Sequence, residues 1–329
     1  MAVTDASGVG EGDLQGGGRG DRSATLAAPA VDAERAPDVL HRWPAHRSAQ
    51  WPEQVGDGPL GRSLRLHEAR SRLGHTFSDM EAEVEGALGR GEFLLLYQPR
   101  FSLATYDVVA IEALLRWRDP ARGLLGPAAF LPLISQTSVM IALGRWVLQE
   151  AALEASGWEQ GRPTGVAPVF LSVNVAAREI LDPAFIDTTL AILDDCCLPI
   201  SLIQLEIDAS DALRHETDVE VKLRQLRRLG LRVAIDGASP TLGAGTDRLA
   251  ADAVHLQRLW LRGLGSDPEL SDAIAALAVR VHRSGALLCA MGVEHQAQAD
   301  ALAAVGCDHA QGFALCDPVA PTDLGWIAP

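Results

Sequence analysis

No run of about 20 apolar residues free of charge occurs in these 329 residues, and a membrane-spanning helix needs such a run. Nor does the chain open on a charged start followed by an apolar stretch, so no secretory leader is expected. Cysteine is scarce, with Cys196, Cys197, Cys289, Cys307 and Cys316 making up the whole complement of 5. An odd number without a CxxC pair argues against a disulfide framework and offers no metal-ligand pattern. The five read as core residues in a reduced, cytoplasmic compartment. Basic residues are outnumbered, 28 Lys and Arg against 43 Asp and Glu, for a net charge of -15 and a pI near 5.0. Such a chain is a poor partner for polymeric nucleic acid, because phosphate binding wants clustered Lys and Arg. A local basic pocket for a small nucleotide is still permitted.

What the chain does have is apolar residues, 48% of the total, enough for a large core. Its length accommodates one barrel of roughly 250 residues plus a tail. Residues 1–75 hold Gly16-Gly17-Gly18, scattered Pro and no sustained apolar period. Such a segment buries too little surface to offset its chain entropy and is expected to be disordered. Trp43 and Trp51 are its exceptions, able to dock on the folded part or on a partner. The folded domain is expected over 76–325, led in by a helix at about 78–91. Eight strand-like apolar runs follow, at 93–97, 108–111, 169–174, 202–206, 233–236, 253–256, 286–290 and 312–315. Stretches at helical period separate most of them, at 144–157, 183–196, 219–229, 268–284 and 296–305. Runs of this kind suit strands buried on both faces. Eight strands alternating with helices favour a closed (β/α)8, TIM-like barrel of α/β class. The first two runs are joined only by Ala104-Thr105-Tyr106, so the first strand should be antiparallel.

Polar residues close the apolar runs: Gln98, Glu112, Asn174, Glu206, Asp236 and His255. In barrels, the C-terminal strand ends carry the active site. Three carboxylates and an amide arriving there are hard oxygen ligands suited to Mg2+ or Mn2+. One such residue would simply be a strand end meeting solvent, but four on separate strands favour a site.

The stretch Ile111-Glu112-Ala113-Leu114-Leu115-Arg116-Trp117 resembles the signature of the EAL family, which hydrolyses cyclic-di-GMP to the linear dinucleotide. The resemblance spans about 90–320. It includes Tyr97-Gln98-Pro99, Arg118-Asp119-Pro120, Val173-Asn174-Val175-Ala176-Ala177-Arg178, Leu205-Glu206-Ile207, Gly292-Val293-Glu294 and Gly306-Cys307-Asp308-His309-Ala310-Gln311-Gly312-Phe313. It implies an EAL-type barrel and a two-metal site that activates water for in-line attack on a phosphodiester. Glu112, Asn174, Glu206 and Asp236 match the family's metal ligands. Gln98, Leu115, Arg116 and Gln311 match its nucleotide-binding side, where the planar fork of Arg116 suits a phosphate.

Other positions depart from the family pattern. Gly237 stands where the family has a second Asp, His255 where it has a catalytic Lys, and Met291 where it has a Glu. Ala209 and Gln257 replace two supporting acids, and 238–246 replaces a conserved loop that also bears on dimerisation. A thioether is a poor ligand for a hard cation, and Gly offers no ligand at all. One Mg2+ or Mn2+ is therefore expected, and not a second. The expected function is cyclic-di-GMP signalling through a degenerate, non-catalytic domain that binds the nucleotide as a receptor or regulatory module. The alternatives are a residual metal-dependent phosphodiesterase and a nucleotide-independent scaffold for an unknown protein partner. A homodimer is a further implied partner.

Overall fold

The structure is a computed structural model and describes residues 77–239 and 251–324. The tail expected over 1–75, with Trp43 and Trp51, and most of the replaced loop at 238–246 lie outside the described residues. Helix α1 (Phe77–Gly89) buries Met80, Val84 and Ala87 at a spacing of four and three residues, which places them on one face. It packs against Phe93, Trp117, Phe130 and Leu133 and leads into strand β1 (Phe93–Ser102) and strand β2 (Val108–Asp119), which form an antiparallel hairpin. A short β3 (Gly123–Leu125) folds back on the far end of β2. Then come α2 (Leu131–Ile134), α3 (Ser138–Gly161), β4 (Phe170–Asn174), α4 (Ala177–Leu181) and α5 (Phe185–Asp195). They are followed by β5 (Ile203–Asp208), α6 (Ala209–Arg214), α7 (Glu216–Arg228), β6 (Arg232–Ala238) and β7 (Ala253–Leu256). The chain closes with α8 (Pro268–Arg283), β8 (Leu287–Met291), α9 (Gln296–Ala304) and β9 (His309–Gln311).

Strands β1, β2, β4, β5, β6, β7, β8 and β9 close on themselves, with β1 antiparallel to both its neighbours and the others parallel. The variant TIM-like barrel expected from the sequence is the fold observed. The last strand, however, is not at 312–315. It is His309–Gln311, and Gly312-Phe313-Ala314-Leu315 turns away beyond it. The apolar run was misleading because two of the three residues of the true strand are polar. Strand β3 had no apolar run of its own and was not anticipated. The lead-in helix spans 77–89 rather than 78–91. Cys289 and Cys307 are buried as expected, but Cys197 is exposed, at a turn with φ 54° after α5. All five cysteines are free thiols.

Alternation along the strands sorts the core. Ile111, Leu171, Val173, Leu205, Val233 and Ile235 pack outward on Val147, Ala151, Leu193, Leu223 and Leu226 of the helices. Across the barrel, Val254, Leu256, Leu288 and Ala290 pack on Ile274, Leu277, Val281 and Leu302. The residues between them point into the lumen, and many are polar: Arg100, Glu112, Ser172, Gln204, Glu206, His255 and Gln311 are all buried. Loss of either outer layer would expose the strands, so the helices hold the polar lumen in register.

Two expected results arise here. Gly144 in α3 lies against α4 so closely that a methyl group would sit 1.6 Å from Glu179 Oε1. Gly→Ala normally favours a helix, yet Gly144→Ala should destabilise by about 2–3 kcal/mol through overpacking, a loss visible in urea denaturation. Burial pushes the Glu179 carboxyl up to about 8, opposed only by the Ala176 N–H it accepts at 2.9 Å. Because the folded state keeps a proton that the unfolded chain loses near pH 4.5, stability should fall as pH rises from about 4.5 to 8. Glu179→Gln should flatten that part of the melting-temperature profile, and an unchanged slope would show that another group sets it.

Candidate functional site

The strand register builds the site. Gln98 of β1 stands opposite Glu112 of β2, and Asn174 of β4 stands beside Glu206 of β5. Asp208 stands beside Asp236, Asp236 beside His255, and Met291 beside Gln311. Because β1 runs antiparallel, its middle rather than its end reaches this rim. The C-terminal ends of β4 to β9 therefore deliver Asn174, Glu206, Asp236, His255, Met291 and Gln311 to one mouth of the barrel, and Glu112 reaches it from mid-strand in β2, which runs on to Asp119. At the same end, Asp208 caps α6 by accepting the N–H groups of Ser210 and Asp211 at 2.9 and 3.1 Å. Ala209 follows it, buried.

Two hydrogen-bonded groups make up the lumen side. In the first, Glu112 accepts Asn174 Nδ2 and Gln311 Nε2, each at 2.6 Å. Gln311 Nε2 also donates to Gln98 Oε1 at 3.0 Å, and Gln98 Nε2 donates to the Cys316 carbonyl at 2.8 Å. Burial pushes the Glu112 carboxyl up to about 7, with the Glu206 charge adding to it and Arg100, Gln311 and Asn174 opposing. In the second, Glu206 Oε1 accepts Arg100 Nη2 at 2.5 Å and the Ser172 hydroxyl. Gln204 Nε2 donates to Ser172 Oγ at 3.2 Å and to Glu206 Oε1 at 3.4 Å. Burial raises the Glu206 carboxyl, but His255 once protonated, Arg100 and the Ser172 hydroxyl outweigh it and bring it down to about 2. Burial holds His255 near 4 despite Glu206 beside it, so the ring is neutral at pH 7. The buried cation that keeps Glu206 ionised there is therefore Arg100.

Arg100 was missed by sequence reasoning. It sits in an apolar strand, and the only signal was its period-two phase with Gln98. Its side chain is 1% exposed, and its pairing with Glu206 joins the antiparallel strand to the acidic group of the site.

Of the positions where the sequence departs from the family pattern, His255 is fully buried, its Nδ1 3.6 Å from Glu206 Oε2 and 3.9 Å from Asp236 Oδ1. Neither ring nitrogen makes a hydrogen bond among the described residues. Gly237 takes φ +91° at an irregularity in the β6–β7 register. A methyl group there would lie 2.9 Å from Gln257 Nε2. That backbone conformation suits Gly and strains other residues. Met291 is half-buried at the rim. Arg116 is buried on the extension of β2, and its Nη1 donates to the Leu115 carbonyl at 2.8 Å. Leu115 itself packs partly against the outer core. No group of three Asp, Glu, His or Cys side chains stands ready to hold a metal ion among the described residues. Nor is any of their helices long and apolar enough to cross a membrane.

The chain is similar to known proteins over this same region. It is 30% identical over 245 residues to the cyclic di-GMP phosphodiesterase PA2567 of Pseudomonas aeruginosa, covering 73% of this chain and 41% of that protein. It is 30% identical over 244 residues to the bifunctional diguanylate cyclase/cyclic di-GMP phosphodiesterase MucR of the same organism, covering 74% of this chain and 35% of that protein. The chain thus spans less than half the length of these two relatives. Among solved structures, the PaMucR phosphodiesterase in complex with c-di-GMP superposes with a TM-score of 0.67 at 30% identity, covering 75% of this chain and 99% of the other. The family model described as the EAL domain matches residues 81–318, and the chain belongs to the EAL domain family.

Proposed function

We propose that this EAL domain binds cyclic-di-GMP and hydrolyses it poorly or not at all, acting as a receptor or regulatory module. The observation that carries the reading is the asymmetry of the mouth. On one side Gln98, Glu112, Asn174 and Gln311 form a connected polar array, with Glu206 beside Asn174 on the next strand. On the other, beside Asp236, stand Gly237 without a side chain, a buried neutral His255, and Met291. Relatives add support, since PA2567 is described as a cyclic di-GMP phosphodiesterase and the MucR domain was solved with c-di-GMP.

EAL domains in general depend on divalent metal, and the residues present fit one hard cation better than two. Glu112, Asn174, Glu206 and Asp236 offer oxygen donors from four adjacent strands. The raised Glu112 carboxyl reflects buried negative charge of the kind a divalent ion relieves. Arg100 already neutralises one oxygen of Glu206, and Gly237 and Met291 add no oxygen. When bound, one Mg2+ or Mn2+ would supply positive charge to a phosphate. The chain's own contribution is to orient that phosphate with Arg116 and the carboxamides of Gln98 and Gln311.

The test is calorimetry with cyclic-di-GMP in EDTA and again in Mn2+, with chromatography for the linear dinucleotide. Saturable binding without product is expected, and Arg116→Ala should weaken it about tenfold or more, the scale of a lost charge-assisted hydrogen bond. Product within minutes would identify a working phosphodiesterase. Absence of binding at high protein concentration would overturn the receptor reading and leave a scaffold.

A further inference from the structure

A cavity rich in positive charge lies at the other end of the barrel from the acidic mouth. Its volume is about 780 Å3, within the usual range of small-molecule sites. Phe170 begins β4, Arg232 begins β6 and Asp252 precedes β7, so it lies at the N-terminal face. Along β6, Arg232 is ~13 Å from Asp236 at the usual rise per residue. Such faces ordinarily serve stability, and a stability role does not call for four guanidinium groups at one cavity.

Arg224, Arg227, Arg228 and Arg232 line it together with Asp252. Arg227 is committed, holding both oxygens of Asp252 at 2.6 and 3.0 Å. Arg224 pairs with Glu220 on its own helix at 2.6 Å. Arg228 and Arg232 have no carboxylate partner among the described residues. Arg232 is held in place by stacking its guanidinium 3.9 Å over the Phe170 ring, a contact that orders the group without neutralising it. Two positive charges are therefore left over in a chain whose net charge is -15. The apolar wall includes Phe170 and Leu202. Guanidinium forks that have no protein acceptor match phosphate oxygens, and an apolar wall suits the body that carries them.

We propose that this cavity is a second ligand site, separate from the acidic mouth, that takes a small organic phosphate: one or two phosphate groups on Arg228 and Arg232, with an apolar or planar body against Phe170 and Leu202. It is independent of whether the mouth binds cyclic-di-GMP.

The experiment is calorimetry on the full chain at low ionic strength, with inorganic pyrophosphate and AMP as probes. Both should bind saturably, AMP the more tightly. Arg228→Ala, an exposed change that leaves the core untouched, should weaken both by roughly tenfold or more. Arg232→Gln should do the same, with melting temperatures reported for each variant to separate lost binding from lost folding. Arg116→Ala should leave AMP binding unchanged. No saturable binding of either probe would overturn the proposal. Binding indifferent to Arg228→Ala, or abolished by Arg116→Ala, would overturn it too, by assigning the probe elsewhere or to the mouth.

Discussion

Arg100→Met is expected to destabilise the protein by about 3–5 kcal/mol at pH 7, the cost of leaving one partner of a buried ion pair alone. The side chains of Arg100 and Glu206 are each 1% exposed and meet at 2.5 Å. Burial alone would lower the Arg100 pKa, yet Glu206 beside it raises it, so each charge is tolerated because of the other. Without the guanidinium, Glu206 has Ser172, Gln204 and His255 around it, and burial still opposes a charged ring. Its carboxyl should then rise above its unfolded value instead of lying near 2. The sign of the pH dependence should therefore invert. In the wild type, the lowered carboxyl contributes stability above the unfolded pKa of about 4.5, lost only as pH falls toward 2. In the variant, stability should be greatest in acid and fall as pH rises past 4.5. Arg100→Met/Glu206→Gln should recover most of the loss, since replacing both partners removes the stranded charge. Urea denaturation at pH 5 and pH 8 reads all three proteins. A single variant as stable as the wild type at pH 8 would show that another cation takes over.

The same residue shows how far the sequence could be read. Apolar runs located even the strands with Ser172, Gln204, Glu206 or His255 facing the lumen, and helical periods located the longer helices to within a few residues at most ends. They failed at the shortest barrel strand. His309-Ala310-Gln311 alternates polar, apolar, polar because two side chains face the lumen and one faces the helices. It looked less like a strand than the apolar turn after it. Arg100 was hidden because it lies beyond the apolar run at 93–97, in the part of β1 that continues to Ser102. The candidate ligands stood out because they close apolar runs and match family motifs. Their partners Ser172 and Gln204 were not, because an inward hydroxyl or amide in mid-strand leaves no mark apart from its phase. The consequence of Gly237 was half legible. The missing ligand is plain in the sequence, whereas the φ of +91° that goes with it is a property of the fold.

That backbone governs the expected result for hydrolysis. On the proposed single-cation reading, and without the Lys and Glu that the family resemblance implies, turnover should lie about three orders of magnitude or more below that of an active relative. A metal supplies several kcal/mol to the transition state, and each ~1.4 kcal/mol is a factor of ten. Gly237→Asp alone should not restore activity. A residue with a Cβ at that φ costs about 1–2 kcal/mol, and Gln257 Nε2 must move aside from a contact of 2.9 Å. His255 would still present a neutral ring where the family resemblance implies a Lys, and Met291 would still offer sulfur. Gly237→Asp/His255→Lys/Met291→Glu supplies all three functions together, and residues acting as a unit gain little singly. Linear dinucleotide should therefore form measurably with the triple variant in Mn2+ and not with any of the singles. A single substitution that restored turnover would identify one position as the whole lesion. Fast turnover by the wild type would mean that Glu112, Asn174, Glu206 and Asp236, with Arg100 as the standing cation, are a sufficient catalytic set.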